Sequence, residues 1–263
     1  MRVTERGAPS IRIGCVKYLN AQPLIHGWPG PVVFDHPAAL CQQLADGELE
    51  VALVSSFEFL RAPVYTIADR VSVAADGAVH SVFLAHREPL EEVEEIALDP
   101  ASRTSVNLLR CLLAERGLQP RLMVAAPLER LGSPRHALLL IGDQALRFRA
   151  EHGEQFNYWD LGAEWKRATG LPFVFALWLI RPEVSDAAAI AHALRTRRDA
   201  NLQTLDQVIA AQTKVSAEFC AFYFRECLHF GFGVSEKSGL LLFRTLCEKH
   251  GVLQPSDAAL RLA

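Results

Sequence analysis

Hydroxyl side chains collect at two points where an apolar run of this sequence ends. Ser55 and Ser56 close the run EVALVSS. The second junction follows the run EIALDP and combines three hydroxyls with a guanidinium: Ser102, Arg103, Thr104 and Ser105. The first amides of a helix lack intrahelical partners and carry partial positive charge, so hydroxyls there either cap the helix or help its amides to hold an anion. Two such junctions supply more donors than capping needs, so we predict an anion site built from both, with Thr104 and Ser105 as the favoured ligand contacts.

Asn20 adds an amide to this set at a third strand end. It lies in the segment YLNAQPL, directly after the strand-like run SIRIGCV. Its carboxamide offers both a donor and an acceptor. Asn20 either forms a turn that leads toward Pro23 or contacts a ligand at the mouth of the first strand, and the neighbouring hydroxyls favour the second interpretation.

Charged groups near these junctions each allow two interpretations. Glu58, three residues after Ser55, is either the acid of a capping box or a general base. Asp143 follows the run LLLIG and either caps the next helix or faces the ligand. Arg103 either pairs with a carboxylate of the ligand or points outward from the helix start. These alternatives stay open at the level of sequence.

The composition excludes several classes of protein. The chain has 263 residues, 50% of them hydrophobic, and a net charge of −3, which is typical of a globular protein and gives no basic field for nucleic acid or an acidic membrane. The N-terminus lacks the apolar segment of a secretion signal, and the longest apolar run, LPFVFALWLI, is too short to span a membrane. Six scattered cysteines predict buried, reduced thiols. We expect a cytoplasmic protein without a nucleic-acid or membrane partner, and no histidine or cysteine spacing calls for a metal.

Strand-like and helix-like runs alternate along the chain. Strands are expected at 10–16, 31–36, 50–56, 80–87, 95–100, 120–126, within 136–146 and at 173–182. Helices are expected at 38–48, 104–117, 144–150 and over most of the chain after residue 186. This order predicts an α/β fold with mostly parallel pairing of its strands. Ligands of such sheets bind beyond the carboxyl ends of the strands, where the polar side chains described above lie.

Two connectors mark crossings between lobes. HREPLEEVEEIA (86–97) places five glutamates between strands, and WLIRPEVSD (178–186) carries a proline where a strand ends. Two crossings predict one lobe from residues 1–88 plus 180–263 and an inserted lobe from residues 89–179. The ligand would then lie in the cleft between the lobes.

Six segments resemble motifs of the chorismate dehydratases of menaquinone biosynthesis, the first enzymes of the futalosine route. They are VKYLNAQPL, VALVSSFEF, HSVFLAHR, ALDPASRTSVNLL, LLLIGDQAL and DLGAEWKRATGLPFVFALW. The resemblance covers about residues 10–180, and HFGFGVSEKSGLLLF is like the C-terminal segment of that family. It implies a two-lobed fold of the type II periplasmic-binding-protein class, no cofactor, and elimination of water from chorismate to give 3-[(1-carboxyvinyl)oxy]benzoate.

This chemistry suits the residues at the strand ends, because chorismate carries two carboxylates that need donors. We assign Asn20 and Ser81 as catalytic residues, with Asn20 orienting the substrate or its departing hydroxyl. Substrate binding is assigned to the remaining polar residues of the junctions: Ser55, Ser56, Arg103, Thr104, Ser105 and Asp143. Because no junction residue is a convincing base, we hypothesise that the enolpyruvyl carboxylate of the substrate takes the proton.

Two other functions remain open. A protein of the same fold can bind a small anion without catalysis. The sister enzyme of the pathway acts on a later, nucleoside-derived intermediate and is expected to place a histidine base after a strand of the inserted lobe. Here Asp143 lies at that strand end and His136 precedes the strand, so the dehydratase is favoured.

Overall fold

The computed structural model of the protein describes residues 11–99, 103–124 and 135–263. Its strands are β1 Ile13–Val16, β2 Val32–Asp35, β3 Val51–Ser55, β4 Thr66–Ala75, β5 Val82–His86, β6 Glu95–Leu98, β7 Arg121–Val124, β8 His136–Ile141, β9 Asn157–Asp160 and β10 Phe173–Ile180. Its helices are α1 Gln22–Ile25, α2 Pro37–Asp46, α3 Ser56–Arg61, α4 Arg103–Glu115, α5 Gly142–His152, α6 Leu161–Thr169, α7 Ala187–Gln203, α8 Leu205–Ala210, α9 Ala217–Phe222 and α10 Val234–Lys249. A 3₁₀ turn spans Leu19–Ala21, and a π turn spans Tyr223–Cys227. Ser102 of the second predicted junction lies outside the described residues.

The strands form two five-stranded sheets, which confirms the α/β class. The first has the order β2-β1-β3-β10-β4 and the second the order β7-β6-β8-β5-β9. The expectation of mostly parallel pairing is wrong, because β10 runs antiparallel to β3 and β4, and β5 runs antiparallel to β8 and β9. Among the described strands, antiparallel pairs are therefore as many as parallel pairs. Each of β5 and β10 begins beside the residues at which its neighbours end. Val82 at the start of β5, for example, pairs with Ile141 at the end of β8.

Two strands were not expected from the sequence. β4 contains Asp69 and Arg70, and Arg70 has a left-handed backbone with φ of 62°. This irregularity interrupts the apolar run that marks a buried strand, and the pairing of β4 with β10 shifts register. β9 has the sequence NYWD, which is polar at both ends and lacks the apolar run that indicated the other strands.

Two strands near the expected lobe boundaries join the sheet of the other expected lobe. β5, placed in the first lobe by its sequence position, pairs within the second sheet, and β10, most of which was placed in the inserted lobe, pairs within the first sheet. Backbone pairing decides which sheet a strand joins, and the charge of the connectors does not. Because α6 packs on β5 and α4, we propose that the chain crosses between Ala75 and Val82 and again between Thr169 and Phe173.

Local signals in the sequence account for several helix ends. Gly47, with φ of 78°, ends α2 as expected, since a glycine adopts this left-handed conformation without strain. The side chains of Asp160 and Asp186 accept hydrogen bonds from backbone amides at the starts of α6 and α7.

All six cysteines are buried, as their apolar neighbours indicate. In the part of the chain that the structure describes, none of the helices has the length and apolar character needed to cross a bilayer.

Candidate functional site

The N-termini of α3 and α4 meet through two hydroxyl groups. The amide of Thr104 donates to Ser55 Oγ at 3.0 Å, and the amide of Phe57 donates to Thr104 Oγ1 at 3.0 Å. The two hydroxyls also share a hydrogen bond. Each therefore caps the helix to which the other is attached. Thr104, a predicted ligand contact, is buried and fully engaged in this arrangement.

Ser56 and Arg103 are directed away from the cavities of the cleft. Ser56 is fully buried and donates to the carbonyl oxygen of Val174 at 2.6 Å, which joins α3 to β10. Arg103 Nη1 lies 3.0 Å from Glu58 Oε2, and Arg61 contacts the same carboxylate. The side chain of Ser55 makes no capping contact within its own helix, so the capping box that was one of the two alternatives for Glu58 does not form. The fully buried Glu58 is instead paired with two guanidinium groups.

A small cavity of about 50 Å³ lies where the ends of β1, β3 and β8 meet the starts of β5 and β10. Three of the predicted site residues line it: Asn20, Ser55 and Ser105. Oδ1 of Asn20 is buried and has no hydrogen-bond partner among the described residues. Such an atom is costly unless a ligand pairs with it, so the cavity is suited to a ligand that donates a hydrogen bond.

The same cavity contains residues that the sequence did not single out. Phe175 and Ala176 supply an apolar wall, and Tyr18 and Gly142 close another side. Phe175 and Ala176 reach the cavity because β10 runs antiparallel to β3, which pairs Ala176 with Ser55. The apolar run of β10 gives no local signal for this position.

Ser81 lies directly before Val82, which lines the small cavity. It is fully buried, and its Oγ accepts a hydrogen bond of 2.6 Å from the hydroxyl of Tyr223. Burial raises the pKa of Tyr223, so this hydroxyl remains protonated and acts as the donor. Tyr223 begins the π turn, a rare element that often marks functional sites, and the sequence pattern gave no indication of it.

A larger cavity of about 390 Å³ adjoins the small one, and Tyr18 and Ile141 line both. Lys17, Asp143 and Lys214 lie on its wall. Its volume falls in the range typical of small-molecule sites, roughly 300–1,000 Å³. The two cavities together combine the polar side chains of Asn20, Ser55 and Ser105 with the charged groups of Lys17, Asp143 and Lys214.

Asp143 is the predicted site residue on the larger cavity. Its Oδ1 accepts the amide of Leu19 at 2.7 Å, and its Oδ2 lies 2.5 Å from Nζ of Lys214. Among the described residues, no group of three or more His, Cys, Asp or Glu side chains is placed to hold a metal ion. Four of the eight predicted site residues line a cavity: Asn20, Ser55 and Ser105 the small one, and Asp143 the larger one. The other four line neither cavity and bond to groups of the protein: Ser56, Ser81, Arg103 and Thr104. The role of each residue toward a ligand remains a proposal.

A family model described as menaquinone biosynthesis matches residues 11–249 of this chain. The chain belongs to the menaquinone biosynthesis family. A chorismate dehydratase from Thermus thermophilus is 34% identical to this family member over 223 residues, which cover 77% of the chain and 81% of that enzyme. A chorismate dehydratase from Campylobacter jejuni is 30% identical over 161 residues, or 60% of this chain and 58% of that enzyme.

Solved structures show that this member of the menaquinone biosynthesis family has a periplasmic-binding-protein-like fold. A Candida albicans protein described as having the generic periplasmic binding protein fold aligns with a TM-score of 0.63 and 11% identity, over 97% of this chain and 96% of that one. The periplasmic aliphatic sulphonate binding protein SsuA from Escherichia coli aligns with a TM-score of 0.61 and 16% identity, over 96% and 91% of the two chains. These alignments confirm the expected fold class.

Proposed function

We propose that this protein is a chorismate dehydratase, a hydro-lyase that converts chorismate to 3-[(1-carboxyvinyl)oxy]benzoate and water. The observation that carries the proposal is the buried, unpartnered Oδ1 of Asn20, which lies in a cavity beside Ser55 and Ser105. The two relatives named as chorismate dehydratases support the choice of substrate.

The start of α4 provides a binding site for one carboxylate of the substrate. Thr104 and Ser105 occupy the first turn of this 13-residue helix, where partial positive charge favours an anion. Ser55 and Ser105 line the cavity at this point, while Thr104 holds the junction together behind them. The second carboxylate would lie toward the larger cavity, where Lys17 and Arg147 line the wall.

The reaction removes the proton from ring carbon C3 and the hydroxyl from C4, and aromatisation of the ring drives it. The C3 proton is vinylogous to the ring carboxylate, so negative charge spreads into that carboxylate as the proton leaves. Donors held on it, such as the Ser105 hydroxyl and the amides of α4, would stabilise the transition state more than the ground state. The oxygen of Asn20 would accept a hydrogen bond from the C4 hydroxyl and orient it for departure.

Two acidic side chains near the cleft, Glu58 and Asp143, are poorly suited to act as a base. Glu58 is paired with Arg61 and Arg103, and both oxygens of Asp143 are engaged by Leu19 and Lys214. This supports the hypothesis that the enolpyruvyl carboxylate of the substrate takes the C3 proton. Ser81 accepts from Tyr223, which leaves the proton of its own hydroxyl for donation toward the departing water.

The position of His136 weighs against the other enzyme of the pathway. His136 is the first residue of β8 and pairs with Glu95, so it lies about 16 Å along the strand from Ile141 at the cavity. It is therefore poorly placed to act as a base there.

The six buried thiols support the proposal that the protein works in the reducing cytoplasm.

An ultraviolet assay tests the proposed reaction. Purified protein is mixed with chorismate, and the spectrum is followed as a cyclohexadiene becomes a benzoate, with the product identified by mass. Dehydration gives a steady spectral change and a product lighter than chorismate by one water. A protein that only binds the anion leaves the spectrum of chorismate unchanged, and this result would refute the dehydratase.

A further inference from the structure

We infer that Asp143 is a positioning residue that fixes the orientation of Asn20 from the opposite sheet. The inference rests on the proposed role of Asn20 at the substrate. Leu19, the first residue of the 3₁₀ turn that carries Asn20, donates its amide to Asp143 Oδ1 at 2.7 Å. Tyr18, the residue before this turn, makes no side-chain cap of its own. Asp143 therefore supplies the missing cap across the cleft.

Lys214 holds the other oxygen of Asp143 and the same backbone segment. Its Nζ lies 2.5 Å from Asp143 Oδ2 and donates to the carbonyl oxygen of Lys17 at 2.8 Å. The segment from Lys17 to Leu19 is thus held at one end by an ammonium group and at the other by a carboxylate. The side chain of Lys214 is 48% exposed and that of Asp143 only 17%, so we expect the hydrogen bond to the Leu19 amide to matter more than the ion pair.

This cap matters for Asn20 because no protein group holds the oxygen of its side chain. Oδ1 has no partner among the described residues, so its direction depends on the backbone of the turn. A displacement of about 1 Å at a group that orients a substrate can lower the rate by roughly a hundredfold. Loss of the Asp143 cap should therefore reduce turnover without removing any group that touches the substrate.

The cap forms only when the two halves of the molecule meet. Asp143 follows β8 of the second sheet, whereas Leu19 follows β1 of the first sheet. The close approach depends on Gly142, which has φ of 57° and packs so tightly against Tyr18 that a Cβ atom would lie 3.0 Å from its ring. The orientation of Asn20 consequently depends on this contact between the two halves.

The inference changes the role assigned to Asp143 from ligand contact to support. A free carboxylate beside a dianionic substrate would oppose binding. Here Leu19 and Lys214 engage both oxygens, so the group can stay at the cleft without contacting the ligand.

A double-mutant cycle between Asp143 and Asn20 tests this coupling. Asp143→Ala should lower kcat roughly 10- to 100-fold with little change in KM, since it disturbs orientation and leaves the binding donors in place. Asp143→Asn keeps an oxygen for the Leu19 amide and should recover most of kcat. In an Asn20→Ser background, Asp143→Ala should lower kcat much less than it does in the wild type, because the side chain that Asp143 positions is gone.

Matched variants keep the test decisive. Asp143→Ser keeps a small polar side chain in the first turn of α5 but is too short to hold Leu19. It should therefore lower kcat as Asp143→Ala does, and it replaces the alanine variant if that variant folds poorly. Asp186→Ala removes a comparable cap from α7, on the exposed surface, and should leave kcat unchanged in both backgrounds. Equal losses from Asp143→Ala in the wild-type and Asn20→Ser backgrounds would overturn the inference.

Hydrogen exchange at the Leu19 amide provides a readout that does not depend on the reaction. The amide should exchange slowly in the wild type and in Asp143→Asn, and faster in Asp143→Ala and Asp143→Ser. If the wild-type protein left chorismate unchanged, the proposed function would be refuted. The exchange rates would still show whether Asp143 holds this turn. Unchanged exchange at Leu19 in Asp143→Ala and Asp143→Ser would refute the cap itself.

Discussion

Ser55 and Thr104 cap each other's helices, although 49 residues separate them in the chain. Ser55 ends β3 of the first sheet, and Thr104 lies in the first turn of α4, which follows β6 of the second sheet. The pair therefore brings two helix N-termini together at the place where the two halves of the molecule meet. Ser105, the next residue of α4, then lines the small cavity.

Removal of the Thr104 hydroxyl should lower stability more than it lowers ligand binding. Thr104→Val keeps the shape of the side chain but leaves the buried amide of Phe57 and Ser55 Oγ without this partner. We expect a loss of about 1–3 kcal/mol in the free energy of unfolding, measured by urea denaturation. Thr245→Val, at an exposed site of α10, is the matched control and should change stability little. Equal stabilities of the two variants would contradict the capping role.

A charge at position 20 should abolish most activity. Asn20→Asp preserves size but places a carboxylate against a dianionic substrate, which costs about 4 kcal/mol at 4 Å in the dielectric typical of protein surfaces. We expect kcat/KM to fall roughly 100- to 1,000-fold in the ultraviolet assay. Asn157→Asp, an exposed position on β9, should retain wild-type activity. Wild-type turnover in Asn20→Asp would remove Asn20 from the mechanism.

The hydroxyl of Tyr223 should support turnover through Ser81. Tyr223→Phe removes the donor to Ser81 Oγ and leaves Ser81 without its buried partner. We expect lower kcat together with a loss of about 1–3 kcal/mol in stability. Tyr158→Phe makes the same change at a buried hydroxyl that has no hydrogen-bond partner among the described residues, so it should leave both quantities nearly unchanged. If Tyr223→Phe turned over chorismate at the wild-type rate, Ser81 would not need this donor.

Glu58 should prove structural. Its carboxylate is fully buried and paired with Arg61 and Arg103, so Glu58→Gln should lower the thermal midpoint of unfolding. At temperatures below that midpoint, we expect kcat to stay within about tenfold of wild type. Loss of a general base would instead lower kcat roughly 10²- to 10⁴-fold. A folded Glu58→Gln variant that binds chorismate and has lost essentially all turnover would identify Glu58 as the base instead.

His80 should make the protein less stable in mild acid. Burial lowers the pKa of His80 below its ordinary value of 6.5, and Arg149 lowers it further while Asp160 opposes the shift. As the pH falls below 6.5, the unfolded chain binds a proton that the folded protein does not, so stability is lost until the folded pKa is reached. His80→Asn tolerates the left-handed backbone at this position, φ of 60°, and lacks the titrating group. Urea denaturation between about pH 7 and pH 5 should therefore show a smaller loss of stability in His80→Asn than in the wild type; identical losses would rule out the effect.

The sequence indicated which strand ends contribute side chains to the small cavity, but not which of the neighbouring hydroxyls face it. Asn20, Ser55 and Ser105 all follow apolar runs, and all three line the small cavity. Ser56 and Thr104 belong to the same patterns, yet both serve the protein itself by bonding Val174 and Phe57. A run of hydroxyls does not reveal which of them face a cavity, because the direction of each side chain depends on how the helix packs.

Two residues near the small cavity could not be recognised from the sequence, for a different reason. Phe175 and Tyr223 reach the site through a reversed strand and a π turn, and neither leaves a periodic signal in the sequence. The partner of Asp143 is a backbone amide 124 residues away, and a backbone amide carries no sequence signature at all.

The sequence by itself determined the α/β class, the buried strands, and the strand ends where polar donors gather, because these follow from local hydrophobic periodicity and capping chemistry. Its motifs also indicated the family to which the chain belongs. Only the tertiary structure decided that β5 and β10 run against their neighbours, and that Asp143 holds Leu19 from across the cleft. Contacts between distant segments depend on how two sheets pack together, and no local spacing of residues encodes that arrangement.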